Sequence, residues 1–353
     1  MNRDPADVLD RARTERVFSG AAWAVGRGDG VVASGYVGTL AWDGPPVASD
    51  TLWDLASVTK PIVGLAVMAL VEDGALSLDE PVAAHLPEYA STDKADLTVY
   101  DLLTHTSGIP GQQPLWRECA TAEELWDAVA RLPVRFPAGT DVEYTSQGFM
   151  ILGRIAEQVS GRPLDALVAE RVSGPAGMTK ATFLVPAADR VRAAATEDCP
   201  WRGRVVQGTV HDENAEMLGG VAGHAGMFAT LADVVALGRS LCRGGAGPYG
   251  RVLAERTLAV MTEPRTDHLP LRRSLAWQGR DPHRSSAGDL LTPAAYGHTG
   301  FTGTSLWVDP VLDVFVVLLT NRVHPRRDSD AIAVVRRRFH NAAVTAALDG
   351  KVT

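Results

Sequence analysis

The run Asp54-Leu55-Ala56-Ser57-Val58-Thr59-Lys60 leads directly into Pro61-Ile62-Val63-Gly64-Leu65-Ala66-Val67-Met68-Ala69-Leu70-Val71, and the reading of the chain turns on it. The apolar stretch predicts a buried helix over about residues 58–73, ended by Gly74. Pro61 falls near its first turn, where a missing N–H costs little. Three residues of helix separate Ser57 from Lys60, so both side chains share one face within reach of each other. A serine hydroxyl is a poor nucleophile until a base takes its proton, and a lysine can be that base if burial and nearby positive charge keep it neutral. The helix start also offers backbone N–H donors to a developing oxyanion. Alone, S-x-x-K is a weak signal, and a serine there can simply cap the helix. A second copy, Ser91-Thr92-Asp93-Lys94, lies in a polar stretch with no apolar helix behind it and reads as a surface loop. The chain has only four lysines (Lys60, Lys94, Lys180 and Lys351), and a lysine used where arginine is the habit hints at a deprotonatable amine.

Outward from this segment the pattern is β at both ends with a mostly helical middle. Asp4-Pro5 starts an N-terminal helix. Two β-rich runs then flank Arg27-Gly28-Asp29-Gly30, whose Asp-Gly pair suits a tight turn. Residues 97–104, 121–132, 148–160, 231–243 and 254–262 read as helices, and 200–226 as irregular and glycine-rich. Residues 304–309 and 314–320 read as strands, the second apolar throughout like a buried central strand, and a last helix covers about 329–348. Terminal strands in one sheet would make an α/β domain of residues 1–75 and 225–353. Residues 76–224 would be a helical insertion, with a cleft where the two meet.

The chain has 353 residues, 46% hydrophobic and 22% charged, with formal net charge −8. That is globular composition, and its acidity argues against phosphate-backbone binding. Arg326-Arg327 and Arg336-Arg337-Arg338 read as a solvated helix face. Cys119, Cys199 and Cys242 are odd in number and far apart, which argues against disulfides and cysteine zinc sites. No HExxH is present, and His85, His211, His268, His283, His324 and His340 lack ligand spacing, so no metal or other cofactor is expected. No segment has 18 uninterrupted apolar residues, so no membrane span is expected, and the first 20 residues lack a signal-type apolar core. The expectation is a cytoplasmic protein acting on a small molecule, with oligomeric state open. G-x-S-x-G, the elbow of a rival hydrolase fold, is absent.

Further motifs follow in order: LLTHTSGIP (102–110), FPAGTDVEYTSQGFMILG (136–153), GPAGM (174–178), GGVAGHAGMFAT (219–230) and GHTGFTGTSLWVDP (297–310). With the Ser57/Lys60 tetrad, the chain resembles the serine β-lactamase-like, penicillin-recognising superfamily. Its class C β-lactamases, D-alanyl-D-alanine carboxypeptidases and family VIII esterases are the nearest types. The resemblance implies an antiparallel sheet flanked by helices with a helical insertion, and an acyl-enzyme on Ser57 with Lys60 as activator. It implies that Tyr144 relays a proton, and that His298-Thr299-Gly300 lies on an edge strand. The N–H of Phe301 would complete an oxyanion hole with that of Ser57. One position departs from the family pattern: Ser146 stands where an asparagine is usual. Serine offers one hydroxyl instead of an amide and a carbonyl. A neutral His298 would also hold a carboxylate less well than a permanent cation. Both features favour hydrolysis of a small ester or amide. An acyltransferase, a D-alanyl-D-alanine carboxypeptidase or weak β-lactamase, and a non-catalytic binding module are the alternatives. His224 could line the cleft or only shape its loop. His105 reads as bracing a turn. Trp116, Trp201 and Trp277 read as packing residues that could also wall a substrate.

Overall fold

Val314–Thr320 is apolar because the sheet is covered on both faces. Val314, Val316 and Leu318 join one buried cluster, and Phe315, Val317 and Leu319 join the other, as the period of two requires. The structure is a computed structural model that describes residues 4–349; Lys351 lies outside them. The sheet is antiparallel and six-stranded. Its order is Gly30–Gly38, Gly20–Arg27, Val314–Thr320, Ser305–Asp309, Tyr296–Thr299, Gln278–Gly279. Strands from both chain ends therefore meet at its centre, where Ala21 pairs with Thr320. The fold is α/β, with an antiparallel sheet and flanking helices.

One face is covered by the first and last helices, Pro5–Thr14 and Ile332–Asp349. Leu9, Ala12, Phe339 and Ala343 pack there on Trp23, Val25 and Val316. The other face takes the Leu231–Cys242 helix. It also fuses with a larger apolar cluster that runs through the Thr59–Glu72 and Ser146–Ser160 helices. That continuity explains why residues 60–70 are buried on every side. We propose the division into a sheet lobe (1–75 and 225–353) and a helical lobe (76–224) as its organising plan. Residues 193–213 nevertheless make many of their bonds to the sheet side: Ala195 O accepts from Asn321 Nδ2 and Thr196 O faces His324 Nδ1. Among the described residues no helix is long and apolar enough to cross a membrane.

Three local expectations change. Lys94 is not on a surface loop: it is fully buried, 2.7 Å from Asp93 Oδ1, and donates to Ala130 O and Leu132 O at the end of the Ala122–Arg131 helix. A local polar pattern could not reveal that helix end. Arg336 is likewise buried, whereas Arg338 of the same run is exposed. Arg327 bridges Glu197 and Glu213. The irregular 200–226 segment holds a short strand, Arg204–Gln207, and a short helix, Glu213–Met217.

Asn321, just past the central strand, ties the sheet together. Its Oδ1 accepts from Gly20 N at 3.0 Å, and its Nδ2 donates to Ser19 Oγ, Leu40 O and Ala195 O at 2.8, 3.0 and 3.0 Å. Asn321→Leu keeps the volume but strands these buried partners, each worth about 1–3 kcal/mol. We expect urea unfolding to show a loss of about 3 kcal/mol or more; a variant as stable as the parent would remove Asn321 as the tie.

Candidate active site

Ser57 sits in a single turn of 3₁₀-helix, Ala56–Val58, that runs into the Thr59–Glu72 helix. Ala56, just before it, has φ +47°, a left-handed conformation that a residue with a Cβ adopts only under constraint. The constraint is visible. Asp54 Oδ1 accepts from Ala56 N at 2.8 Å, Thr302 Oγ1 donates to Asp54 O at 2.8 Å and Thr304 Oγ1 donates to Leu55 O at 2.9 Å. The approach is close enough to require Gly300, where a Cβ would stand 2.4 Å from Leu55 O and 2.1 Å from Thr304 Oγ1. Arg336 holds the same turn from behind, its Nη2 donating to Gly300 O and Thr304 O at 2.5 and 2.8 Å.

Lys60 is fully buried, and its Nζ is 3.2 Å from Ser57 Oγ. It also donates to His224 O at 3.0 Å and reaches Ser146 Oγ at 3.4 Å. The same nitrogen lies 4.9 Å from the centre of the Tyr144 ring. Ser146 is in place at the first turn of the 146–160 helix, and its hydroxyl offers Lys60 a single partner atom. Tyr144 lines the cleft with Ser57; its buried hydroxyl makes no hydrogen bond among the described residues. His105 clamps that tyrosine from both sides: its carbonyl accepts from Glu143 N at 3.0 Å, and its Nδ1 accepts from Thr145 N at 3.1 Å.

His298 and Thr299 end the 296–299 strand. The outer strand pairs only with Tyr296 and Gly297, so the motif is not on the outermost strand but is open to the cleft beyond it. The backbone N–H groups of Ser57 and Phe301 donate to no protein acceptor among the described residues. His298 Nδ1 faces Thr299 O at 2.9 Å, which makes Nδ1 the donor and leaves Nε2 with its lone pair. Burial, with the charges of Arg273 and Lys60, holds His298 well below the usual imidazole range, so it is neutral.

The cleft is positive on this side for a reason the sequence did not disclose. Arg273, Arg322 and Arg336 line it with Ser57, Tyr144, His298 and Phe301. Burial lowers all three below the ordinary guanidinium range, Arg336 to about 9. None of them forms an ion pair among the described residues, and Arg273 Nε and Arg336 Nε have no hydrogen-bond partner. A carboxylate elsewhere in the chain would have been the expected partner of a buried cation. On the other side of Ser57 lie Trp116, His211, Asp212, Glu213 and Asn214. Trp116 stacks on Trp201 with ring centres 5.0 Å apart, whereas Trp277 is core. His224 does not line the cleft; its ring is buried behind it, against Asp212. Glu197, Cys199 and Glu213 place ligand-type atoms within 4.8 Å of one another. Arg327 already bridges both carboxylates, and Arg202 Nη1 faces the sulfur at 3.5 Å, so protein cations meet that charge.

Sequence reasoning missed Asp54, Asp212, Arg273 and Arg336. The only local trace was the polar run His211-Asp212-Glu213-Asn214 inside an otherwise apolar and glycine-rich stretch.

The family model described as Beta-lactamase matches residues 6–338. A protein of Escherichia coli (strain K12), provisionally named a D-alanyl-D-alanine carboxypeptidase, is 31% identical over 324 residues, covering 83% of this chain and 74% of that protein. Among solved structures, EstCE1, described as a hydrolase with promiscuous acyltransferase activity, superposes with TM-score 0.79 at 21% identity, covering 96% of this chain and 97% of that one. A penicillin-binding protein homologue from Caulobacter crescentus gives TM-score 0.77 at 22% identity, covering 97% and 96%. At these identities the structural likenesses establish the fold.

The buried histidines make stability depend on pH. His105, His298 and His340 all sit below the ordinary 6.5, chiefly through burial, His340 at about 3. The unfolded chain binds the extra protons, so their contribution is complete above pH 6.5 and is lost as pH falls below it. At about 1.4 kcal/mol per unit and group, urea unfolding at pH 5.5 should give a stability on the order of 4 kcal/mol lower than at pH 7.5. A flat profile over that interval would mean that these rings are not held neutral.

Proposed function

The chain belongs to the beta-lactamase family, and on that premise we propose that it is a serine acyl-enzyme hydrolase of small esters or amides. The observation that supports this most is the 3.2 Å contact between Ser57 Oγ and a fully buried Lys60 Nζ. In this reading His224 O takes one amine hydrogen and fixes the nitrogen's direction toward Ser57. Lys60 takes the Ser57 proton as Oγ attacks the carbonyl carbon. The developing oxyanion is stabilised by the N–H groups of Ser57 and Phe301. Tyr144 hands a proton to the leaving oxygen or nitrogen. Water then attacks the acyl carbonyl and its proton passes to Tyr144, while Lys60 returns the first proton to Ser57 Oγ as the ester bond breaks and the acid is released.

A second reading, a D-alanyl-D-alanine carboxypeptidase, is favoured by the arginine-lined side of the cleft. A neutral His298 alone argued against a substrate carboxylate. Arg273, Arg322 and Arg336 supply the positive charge that it lacks. The acyl carbonyl would sit at Ser57 and the leaving group's carboxylate would lie toward Arg273.

Intact-mass analysis after incubation with p-nitrophenyl acetate, a β-lactam and a D-alanyl-D-alanine peptide should show an adduct that Ser57→Ala does not form. Ser57→Ala should abolish turnover. Lys60→Ala and Tyr144→Phe should each lower kcat/KM on the order of 10²–10⁴-fold; near-normal turnover by Lys60→Ala would remove it as the base. Product analysis with a competing amine separates hydrolysis from acyl transfer.

Arg273→Ala divides the two readings. It should raise KM for a carboxylate-bearing substrate by roughly tenfold or more, the value of about one charge-assisted hydrogen bond, and leave a neutral p-nitrophenyl ester nearly unaffected. An equal effect on both would mean that Arg273 only supports the fold.

A further inference from the structure

The reaction above uses neither Asp54 nor Asp212, yet with two histidines they close a circuit around it. His224 is 1% exposed, and its ring Nε2 lies 2.9 Å from Asp212 Oδ1. The same oxygen accepts from Ala215 N at 2.9 Å. It is the main-chain carbonyl of His224, not its ring, that receives the Lys60 amine at 3.0 Å. One residue before Asp212, His211 N donates to Asp54 Oδ2 at 2.7 Å, and Asp54 Oδ1 accepts from Ala56 N at 2.8 Å. Followed round, the contacts run Ser57, Lys60, His224, Asp212, His211, Asp54, Ala56 and back to Ser57. Two of the links are peptide bonds and the rest are hydrogen bonds.

The backbone that presents the His224 carbonyl is a glycine-rich loop, bridged between Ala222 and Ala225 on either side of that residue. It lies within Gly219–Gly226, where Gly219, Gly220 and Gly226 all have left-handed φ of +80°, +88° and +115°. Glycine backbone has many conformations to choose from. The His224 ring is the one large side chain between Val221 and Met227, and it is anchored at one end to Asp212. Burial pushes the Asp212 carboxyl up. The charge and hydrogen bond of His224 and the Ala215 N–H more than offset that, so it stays ionised.

We infer that Asp212 is a positioning residue for the general base: through the His224 ring it fixes the carbonyl that aims Lys60 Nζ at Ser57 Oγ. The inference rests on Ser57 and Lys60 acting as nucleophile and base. A misaimed amine slows proton transfer and leaves substrate binding alone, so the effect belongs in kcat.

The test uses the full chain with p-nitrophenyl acetate, alongside labelling of Ser57 by a fluorophosphonate. Asp212→Ala should lower kcat roughly 10–100-fold with KM within about twofold, and slow Ser57 labelling in parallel. Asp212→Asn, which keeps an acceptor oxygen for both Ala215 N and His224 Nε2, should lose less and guards against a folding defect. His224→Leu should lose as much as Asp212→Ala. His224→Gln, which keeps an N–H for Asp212, should recover at least about tenfold of that loss. The double variant Asp212→Ala/His224→Leu should be no slower than either single one. The inference is overturned by an Asp212→Ala protein with parental kcat, by a change confined to KM, by losses that multiply in the double variant, or by His224→Gln no better than His224→Leu. Failure of the underlying reading looks different: the parent protein would then not be labelled at Ser57 at all.

Discussion

An amine nitrogen with no carboxylate beside it, buried against a serine hydroxyl, is the constraint on which the site depends. Removing Lys60 Nζ from water is costly unless its hydrogens find acceptors. Its three polar neighbours come from three segments: Ser57 on its own helix turn, Ser146 at the start of the 146–160 helix, and the carbonyl of His224 in the glycine-rich loop. Helical spacing alone supplies the first. The other two require the helical side and the loop to be docked against the 59–72 helix, so the geometry of one nitrogen reports on the packing of the whole cleft.

The backbone of Ser57 is held in the same way. A left-handed alanine before Ser57 is a local expense that isolated sequence would not bear. It is offset by contacts from the hairpin that joins the 296–299 and 305–309 strands: two threonine hydroxyls on the Asp54 and Leu55 carbonyls, and a glycine where any Cβ would collide. Arg336 reaches across from the last helix to hold that hairpin. The sheet thus acts on the site mechanically, since its end near Thr299 is where the Ser57 turn is pressed into shape. Rigid elements beneath a site are the means by which sub-ångström positions are kept.

Charge is distributed against the grain of the composition. The chain is net acidic, yet the side of the cleft bounded by His298 and Phe301 is walled by arginines without carboxylate partners. Across Ser57 the acids are answered within the protein: Asp212 by His224, and Glu197 and Glu213 by Arg327. The unanswered charge on one side only gives the cleft a polarity along its length. A field of this kind orients a substrate whose ends differ in charge, whatever the net charge of the chain.

The amino-acid sequence by itself determined what depends on neighbours along the chain. Helical spacing put Ser57 and Lys60 on one face, an uninterrupted apolar run marked Val314–Thr320 as a central strand, and turn residues bounded most helices to within a few positions. The ordered motifs also placed Tyr144, Ser146 and His298–Phe301 at one cleft. What only the tertiary structure decided is the fate of groups whose meaning depends on partners far away in the chain. Arg336 and Lys94 looked like solvated cations because their acceptors lie 32–36 and 36–38 residues off. Asp54 meets His211 across 157 residues, and His224 meets Lys60 across 164. A side chain's charge can be read from its letter; whether that charge is buried, paired or left to face a ligand is set by long-range packing, and no local pattern encodes it.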